Sequence, residues 1–425
     1  MTIATRGALQ LQTPLPPLPH TVPIYGYRYL MEDQVTGHSE SEAVGSEVEV
    51  IWRGRRVRAF VPALLTSRDL TLDAASASRC ATAAAEVGFA AEAMAGEYEP
   101  LARLLLRAEG VASSYVEGIT APVVDIVLAE EHLGQHTATP ATWVASNLDA
   151  VADAVASAYG MDACSVELLC QWHRTLMADS PTPERYVGVL RDEQGWTGGT
   201  SPLDAHLVTP PPSALAALLE DLVDYTNRTD IDPVAQAAVA HAQFELIHPF
   251  ADGNGRVGRV LVAWLLTRRL GLVVPPPVSV AIAADVAGYA AGLVLFRLGD
   301  HRRWIGWFAD AVAKGGKAQR SLITHVEELA VQWRERLATT GRSIRSDAAV
   351  FAAIDLLPRH LVLTSRTLVN ELGISPKAAR ATLQRLGAVG ILTEYGTVRS
   401  GTTGQPAALF VSRELLGLAG SNPLR

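Results

Sequence analysis

Residues 248–259 read His-Pro-Phe-Ala-Asp-Gly-Asn-Gly-Arg-Val-Gly-Arg, and the apolar run Val260–Leu266 follows at once. No other stretch restricts the fold of this chain so strongly. A glycine-rich turn that opens a helix leaves backbone N–H groups unpaired at the positive end of the helix dipole. Such a turn binds phosphate. The two arginines add charge-assisted donors, and Asp252 is a candidate Mg²⁺ ligand. His248 is left beside the anion site as a base or a nucleophile. The segment is not a Walker A loop, because no Gly-Lys-Ser/Thr follows. The bland alternative is a polar loop capping a buried helix.

The residues resemble the signature of the Fic family, His-Pro-Phe-x-Asp/Glu-Gly-Asn-Gly-Arg-x-x-Arg. Every fixed position is met, by His248, Pro249, Phe250, Asp252, Gly253, Asn254, Gly255, Arg256 and Arg259. The resemblance implies a mainly α fold, a helical bundle with a small β-hairpin flap. It also implies transfer of AMP from ATP to a protein hydroxyl, on Ser, Thr or Tyr, with Mg²⁺. In that chemistry His248 takes the hydroxyl proton, and its rival role is covalent nucleophile. Asp252 holds the metal. Backbone N–H groups of Gly253, Asn254 and Gly255 form the anion hole, with a side-chain hydrogen bond from Asn254. Arg256 and Arg259, three apart on one helical face, meet the phosphates. Pro249 and Phe250 shape the turn.

Residues 113–118, Ser-Ser-Tyr-Val-Glu-Gly, resemble the inhibitory signature of the family through Ser113, Glu117 and Gly118. Glu117 is implied to pair with Arg259 and hold the γ-phosphate site shut, or alternatively to orient water for AMP removal. The plain reading is a glutamate at a helix C-terminus with Gly118 as the next residue. A glutamate there opposes the helix dipole unless a cation compensates. Further likeness lies in Gly188-Val-Leu-Arg191 and Trp196-Thr197-Gly198-Gly199, read as the target-positioning flap, and in Tyr289, read as an aromatic near adenine. Thr197 replaces the usual aliphatic residue of the flap, and Gly195 precedes Trp196. The resemblance covers about 70–315.

Periodicity organises the rest. Residues 1–23 are polar and proline-rich, an expected extended arm. Residues 48–61 alternate around Arg53-Gly54-Arg55 as a short hairpin. These make up an N-terminal segment, 1–65. A catalytic unit over 66–335 follows, with the inhibitory helix near 108–119. Helices are expected within 72–116 and at 141–158, 165–178, 213–227, 233–246, 256–270 and 300–335. The glycine-rich stretch 185–210 interrupts them, with Val187 and Val189 suggesting its strands. Residues 342–413 form a third unit. Ser365 is read as capping one helix and Ser375-Pro376 as starting another that bears Lys377, Arg380, Gln384 and Arg385. Strands at Ile391–Val398 and Ala407–Val411 complete a winged helix-turn-helix pattern. This unit carries nine Lys/Arg against four Asp/Glu, within a chain of net charge −8. Winged helices bind DNA or protein, and both partners stay open.

The 425 residues, 48% apolar, suffice for two or three domains with a sizeable core. The net negative charge argues against nonspecific nucleic-acid binding by the whole chain. Cys80, Cys164 and Cys170 show no ligand spacing, and with no signal-peptide pattern the expected compartment is the reducing cytoplasm. No apolar stretch reaches spanning length, so no membrane role is expected. Fic resemblance also implies a homodimer as a candidate assembly. Two other readings stand beside the adenylyltransferase. One is a DNA-binding regulator that only senses nucleotide. The other is a related protein phosphotransferase using another nucleotide.

Overall fold

The computed structural model describes residues 44–420, apart from 69, 95–98, 134–137, 161–162, 340–347 and 399–405. The expected proline-rich arm therefore lies outside the described residues. The first element is the hairpin of β1 (Gly45–Trp52) and β2 (Arg55–Pro62), paired antiparallel with Trp52 opposite Arg55. Arg53 and Gly54 both take left-handed φ, 47° and 77°, as a two-residue turn between twisted strands requires.

Helices follow: α1 (Ala74–Ala93), α2 (Glu99–Val116), α3 (Val123–Glu130), α4 (Pro140–Tyr159) and α5 (Val166–Met177). The short strands β3 (Trp196–Thr197) and β4 (Leu207–Val208) then pair as a flap. Next come α6 (Leu215–Thr226), α7 (Pro233–Ile247), α8 (Asn254–Leu270), α9 (Val278–Ala284), α10 (Val286–Arg297) and the long α11 (His301–Ala338). Side-chain oxygens of Asp73, Thr139, Ser165 and Asp232 cap the N-termini of α1, α4, α5 and α7. The α7 and α8 helices are enclosed on nearly every side, so neither shows an amphipathic stripe. Around them a first core gathers Trp172, Trp264, Trp304, Phe244 and Phe308.

The C-terminal module holds α12 (Ala348–His360), β5 (Val362–Leu363), α13 (Ser365–Leu372), α14 (Pro376–Ala388), β6 (Thr393–Val398), β7 (Ala407–Val411) and α15 (Arg413–Gly420), with strand order β5-β7-β6. Its two central helices and hairpin fall where the sequence places them. The cap of α13 is a correction: Thr364, not Ser365, accepts from the Thr367 N–H. Ile391 and Leu392 belong to the core and not to β6.

The flap also departs from expectation. Val187 and Val189 are not in strands, and the pairing is confined to Trp196–Thr197 with Leu207–Val208. Cys164 lies before α5, outside any helix. Helices α3, α9 and α10 go beyond the expected set. Of these, α3 and α9 have 8 and 7 residues, too brief for a helical period to stand out.

The second core crosses the sequence boundary near 335–342. It joins Leu101, Leu104 and Leu105 of α2, Val124 and Val127 of α3, and Trp333 and Leu337 of α11 to Ile354, Leu357, Leu383 and Leu386 of the module. Arg103 and Arg107 both pair with Glu130, at 2.7 and 2.6 Å, and Arg107 also reaches the Pro358 carbonyl of α12. The helix that ends beside Glu117 is thus packed into the C-terminal module. Among the described residues, no single helix is long and apolar enough to cross a membrane.

Candidate active site

His248 closes α7 in the left-handed region, φ 49° and ψ 61°. A non-glycine residue there is uncommon and costs free energy that its surroundings must offset. The turn that follows is tied down by Asn254. Its side chain accepts from the Phe250 N–H and donates to the Phe250 carbonyl, both at 2.9 Å. This corrects the expectation that the amide side chain of Asn254 faces a ligand: both of its ends are occupied within the loop. Gly253 precedes α8 with φ 74°, and a Cβ there would lie 2.9 Å from the Met177 sulfur. Only glycine meets both demands.

Burial, and then the Arg191 guanidinium, push the His248 imidazole down to about 4, against the pull of Glu117, the Glu245 carbonyl and Asp252. An ordinary titration near 6.5 is therefore not what the site provides. At neutral pH the ring is uncharged and can accept a proton. Its Nδ1 is enclosed by protein, which leaves Nε2 as the nitrogen that can face a reactant.

The Arg259 side chain is buried. Its Nε donates to Ser113 Oγ at 2.9 Å, and its Nη2 donates to the Ser113 carbonyl and to Glu117 Oε1, both at 2.8 Å. The α2 helix ends in a Schellman arrangement: Ile119 N–H reaches the Ser114 carbonyl and Gly118 N–H the Tyr115 carbonyl, with Gly118 at φ 74°. The plain reading and the pairing with Arg259 therefore hold together. Gly118 turns the chain, and the turn aims Glu117 at α8. A Cβ on Gly255 would sit 2.1 Å from Glu117 Oε1, so the carboxylate lies against the first turn of α8. That is the place where the dipole and free N–H groups attract an anion.

Arg256 is also buried, and its Nη2 contacts the Met177 sulfur at 3.5 Å while its Nε has no partner. Asp252 is exposed. Its carboxylate accepts from the Gly253 N–H at 2.7 Å and from Thr182 Oγ1 at 3.2 Å. Among the described residues no three His, Cys, Asp or Glu side chains cluster as a metal site. A lone exposed carboxylate still fits Mg²⁺, which is commonly held by one or two carboxylates, waters and substrate phosphates.

Tyr289 is placed differently from expectation. It is 7% exposed, its hydroxyl meets His241 Nε2 at 2.8 Å, and His241, Trp304 and Trp307 wall its ring. It packs behind Arg259 and offers no face to adenine. Arg191 likewise is no part of the flap surface; it is buried beneath it. Gly188, Gly198 and Gly199 take left-handed φ at the base and tip of the flap, and Trp196 meets Trp52 of the N-terminal hairpin edge to face.

Two groups escape the sequence reading. Glu245 lies one turn before His248 on α7, and burial pushes it up to about 8, against the pull of Arg259. His173 of α5 is buried against Phe250. Its signal was available: a histidine on the apolar face formed by Leu169, Trp172 and Leu176.

The first turn of α8 is thus a cationic helix N-terminus, a place suited to an anion, with the chain's own carboxylate lying against it. Comparison with known proteins makes this specific. Residues 163–266 match the Fic/DOC family model. It is 32% identical over 151 residues to protein adenylyltransferase fic-1 of Caenorhabditis elegans, covering 35% of this chain and 27% of that one. It is 35% identical over 130 residues to protein adenylyltransferase Fic of Drosophila willistoni, covering 30% and 24%. The chain spans about a quarter of the length of these curated relatives. A Fic family protein from Desulfovibrio desulfuricans G20 shares the fold, with TM-score 0.50, 21% identity, and coverage of 80% of this chain and 97% of that one.

Proposed function

We propose that this chain transfers AMP from ATP to a hydroxyl side chain of a protein, and that Glu117 holds the activity off. The observation that carries the reading is the Glu117 carboxylate lying on the first turn of α8 and bound to Arg259. With that carboxylate withdrawn, Arg259 Nη2 and the N–H groups of Asn254 and Gly255 can turn to phosphates. The target hydroxyl gives its proton to His248 Nε2 as its oxygen bonds to the α-phosphorus. The bond from that phosphorus to pyrophosphate breaks, and the leaving charge falls within reach of the cationic turn. Bound through Asp252, Mg²⁺ would supply charge neutralisation on the phosphates.

The release signal is assigned to the C-terminal module. Lys377, Arg380 and Gln384 are exposed on α14, a basic face suited to DNA as in a winged helix. The shared core gives that module a grip on α2. Three free cysteines suit a reducing compartment. Incubation of wild type and Glu117→Gly with labelled ATP and Mg²⁺ tests the reading. Greater self-labelling of the variant is expected, and equal labelling of the two overturns the inhibitory role. Labelling that shows no preference for ATP over CTP, GTP or UTP points to a different nucleotide.

A further inference from the structure

Two buried side chains link the flap to the catalytic turn. The Gly188 N–H donates to His173 Nδ1 at 2.8 Å. That bond fixes the tautomer, so Nε2 carries the proton and donates to the Asp252 carbonyl at 3.1 Å. The ring stacks on Phe250 with centroids 4.0 Å apart and planes within 6°. One neutral imidazole thus joins the segment leading into the flap to the loop that carries Asp252. Burial pushes it down to about 4, so it keeps this form at neutral pH.

Arg191 forms the second link. Its own N–H donates to the Pro249 carbonyl at 2.9 Å. Its Nε donates to the His248 carbonyl at 2.8 Å, Nη1 to Glu193 at 2.9 Å, and Nη2 to Pro210 at 2.6 Å and Ile247 at 3.3 Å. The four side-chain acceptors come from the stretch before β3, the stretch after β4, and the end of α7. Among the described residues no carboxylate partners this buried cation. A charge without a counter-ion costs folding free energy, so stability alone is a poor reason for it. Gly195 makes room: a Cβ there would stand 2.9 Å from Arg191 Nε and 2.7 Å from Thr209 Oγ1. The glycine that departs from the expected flap pattern is the residue under which this side chain passes.

We propose that His173 and Arg191 are positioning residues that lock the β3–β4 flap to the catalytic turn, Arg191 tying both legs to the His248 carbonyl and His173 tying the approach to β3 to the Asp252 carbonyl, so that a hydroxyl presented over the flap arrives in register with the base. The proposal rests on the adenylyltransferase reading for its purpose, and on geometry alone for the lock. Arg191 also holds the carbonyl of a residue in the left-handed region, so its loss lets His248 relax out of its pose. The charged groups acting on the His248 ring are Arg191 from beneath, Glu117 from the end of α2, and Asp252 from its own loop.

The experiment uses the full chain with Glu117→Gly as parent, and adds His173→Ala, His173→Gln, Arg191→Met or Arg191→Lys. Self-labelling at saturating Mg-ATP is expected to fall about 100-fold in the Ala and Met variants, the order seen for a displacement of about 1 Å. ATP affinity should stay within about threefold, since only alignment is lost. In Arg191→Met the acid limb of the pH profile should move to higher pH, because a cation has left the His248 ring. Arg191→Lys keeps the charge and should keep the limb while losing rate. Labelling at the parental rate, or ATP affinity falling in step with rate, overturns the proposal. Hydrogen exchange at the Gly188 and Arg191 amides reads the lock without catalysis. His173→Ala and Arg191→Met should exchange there about tenfold faster, with His173→Gln in between. A parent that never labels overturns the functional reading. Unchanged amide protection overturns the lock, whether or not the parent labels.

Discussion

The carboxylate of Glu117 occupies the space that a side chain at Gly255 would need, 2.1 Å from the ideal Cβ position. Removing the carboxylate should therefore raise activity, and filling that space should not. Glu117→Gly is expected to raise self-labelling. It also leaves Arg259 buried without the one carboxylate it is hydrogen-bonded to among the described residues. A fully enclosed pair loses ~3–5 kcal/mol when broken. The Glu117 side chain is 28% exposed, so a cost of about 2–3 kcal/mol is expected by chemical denaturation.

Gly255→Ala should not activate. Its methyl displaces Glu117 but then stands on the anion site itself. The expected outcome is a lowered melting temperature with no gain in labelling, read by thermal unfolding beside the labelling assay. Labelling that rises to the Glu117→Gly level contradicts the placement of the anion over this turn.

His248→Ala should abolish labelling while ATP still binds. In the Glu117→Gly background, loss of activity on acidification should centre nearer pH 4 than pH 6.5. The ring must be neutral to accept a proton, and its burial keeps it neutral down to about 4. A half-loss near 6.5 in a rate profile places the base in a wetter setting than the one described.

Stability should depend on pH from both sides. His173, His241 and His248 are held at about 4, 3 and 4, below their unfolded value near 6.5. Their contribution is present above pH 6.5 and is lost as pH falls toward 4. Glu109 and Glu245 are raised by burial to about 7 and 8. Their contribution is present below about 4.5 and is lost as pH rises through 7 to 8. Melting temperature should therefore decline from pH 6.5 to pH 8. Glu109→Gln, which keeps an acceptor for the Ser279 N–H, should lessen that decline. An unaltered slope in the variant removes Glu109 from the account.

Leu104→Ala tests the grip of the C-terminal module on α2. Leu104 is fully buried in the second core, and such truncations cost about 2–5 kcal/mol. The same variant should raise self-labelling relative to wild type, since it loosens the helix that ends beside Glu117. Destabilisation with unchanged labelling uncouples the module from the switch.

Local chemistry made the helices and the anion turn legible. Gly253 and Gly255 at the start of an apolar run, the Ser375-Pro376 start of α14, and the Gly118 stop each act within a few residues of their own position. Tertiary structure decided what those residues face. Asn254 and Arg191 read as ligand and flap groups, yet both satisfy backbone atoms, because a buried loop must find partners for its own carbonyls and amides. His173 gave only a polar mark on an apolar helix face, and its role depends on two segments brought together from 15 and 79 residues away. The His248 titration needed burial, which no spacing encodes. The sequence alone determined that a helical domain would carry an anion turn with a histidine beside it. The family resemblance named Glu117 as the partner of Arg259, but only packing put its carboxylate on the first turn of α8, because the ends of α2 and α8 meet through contacts more than 140 residues apart.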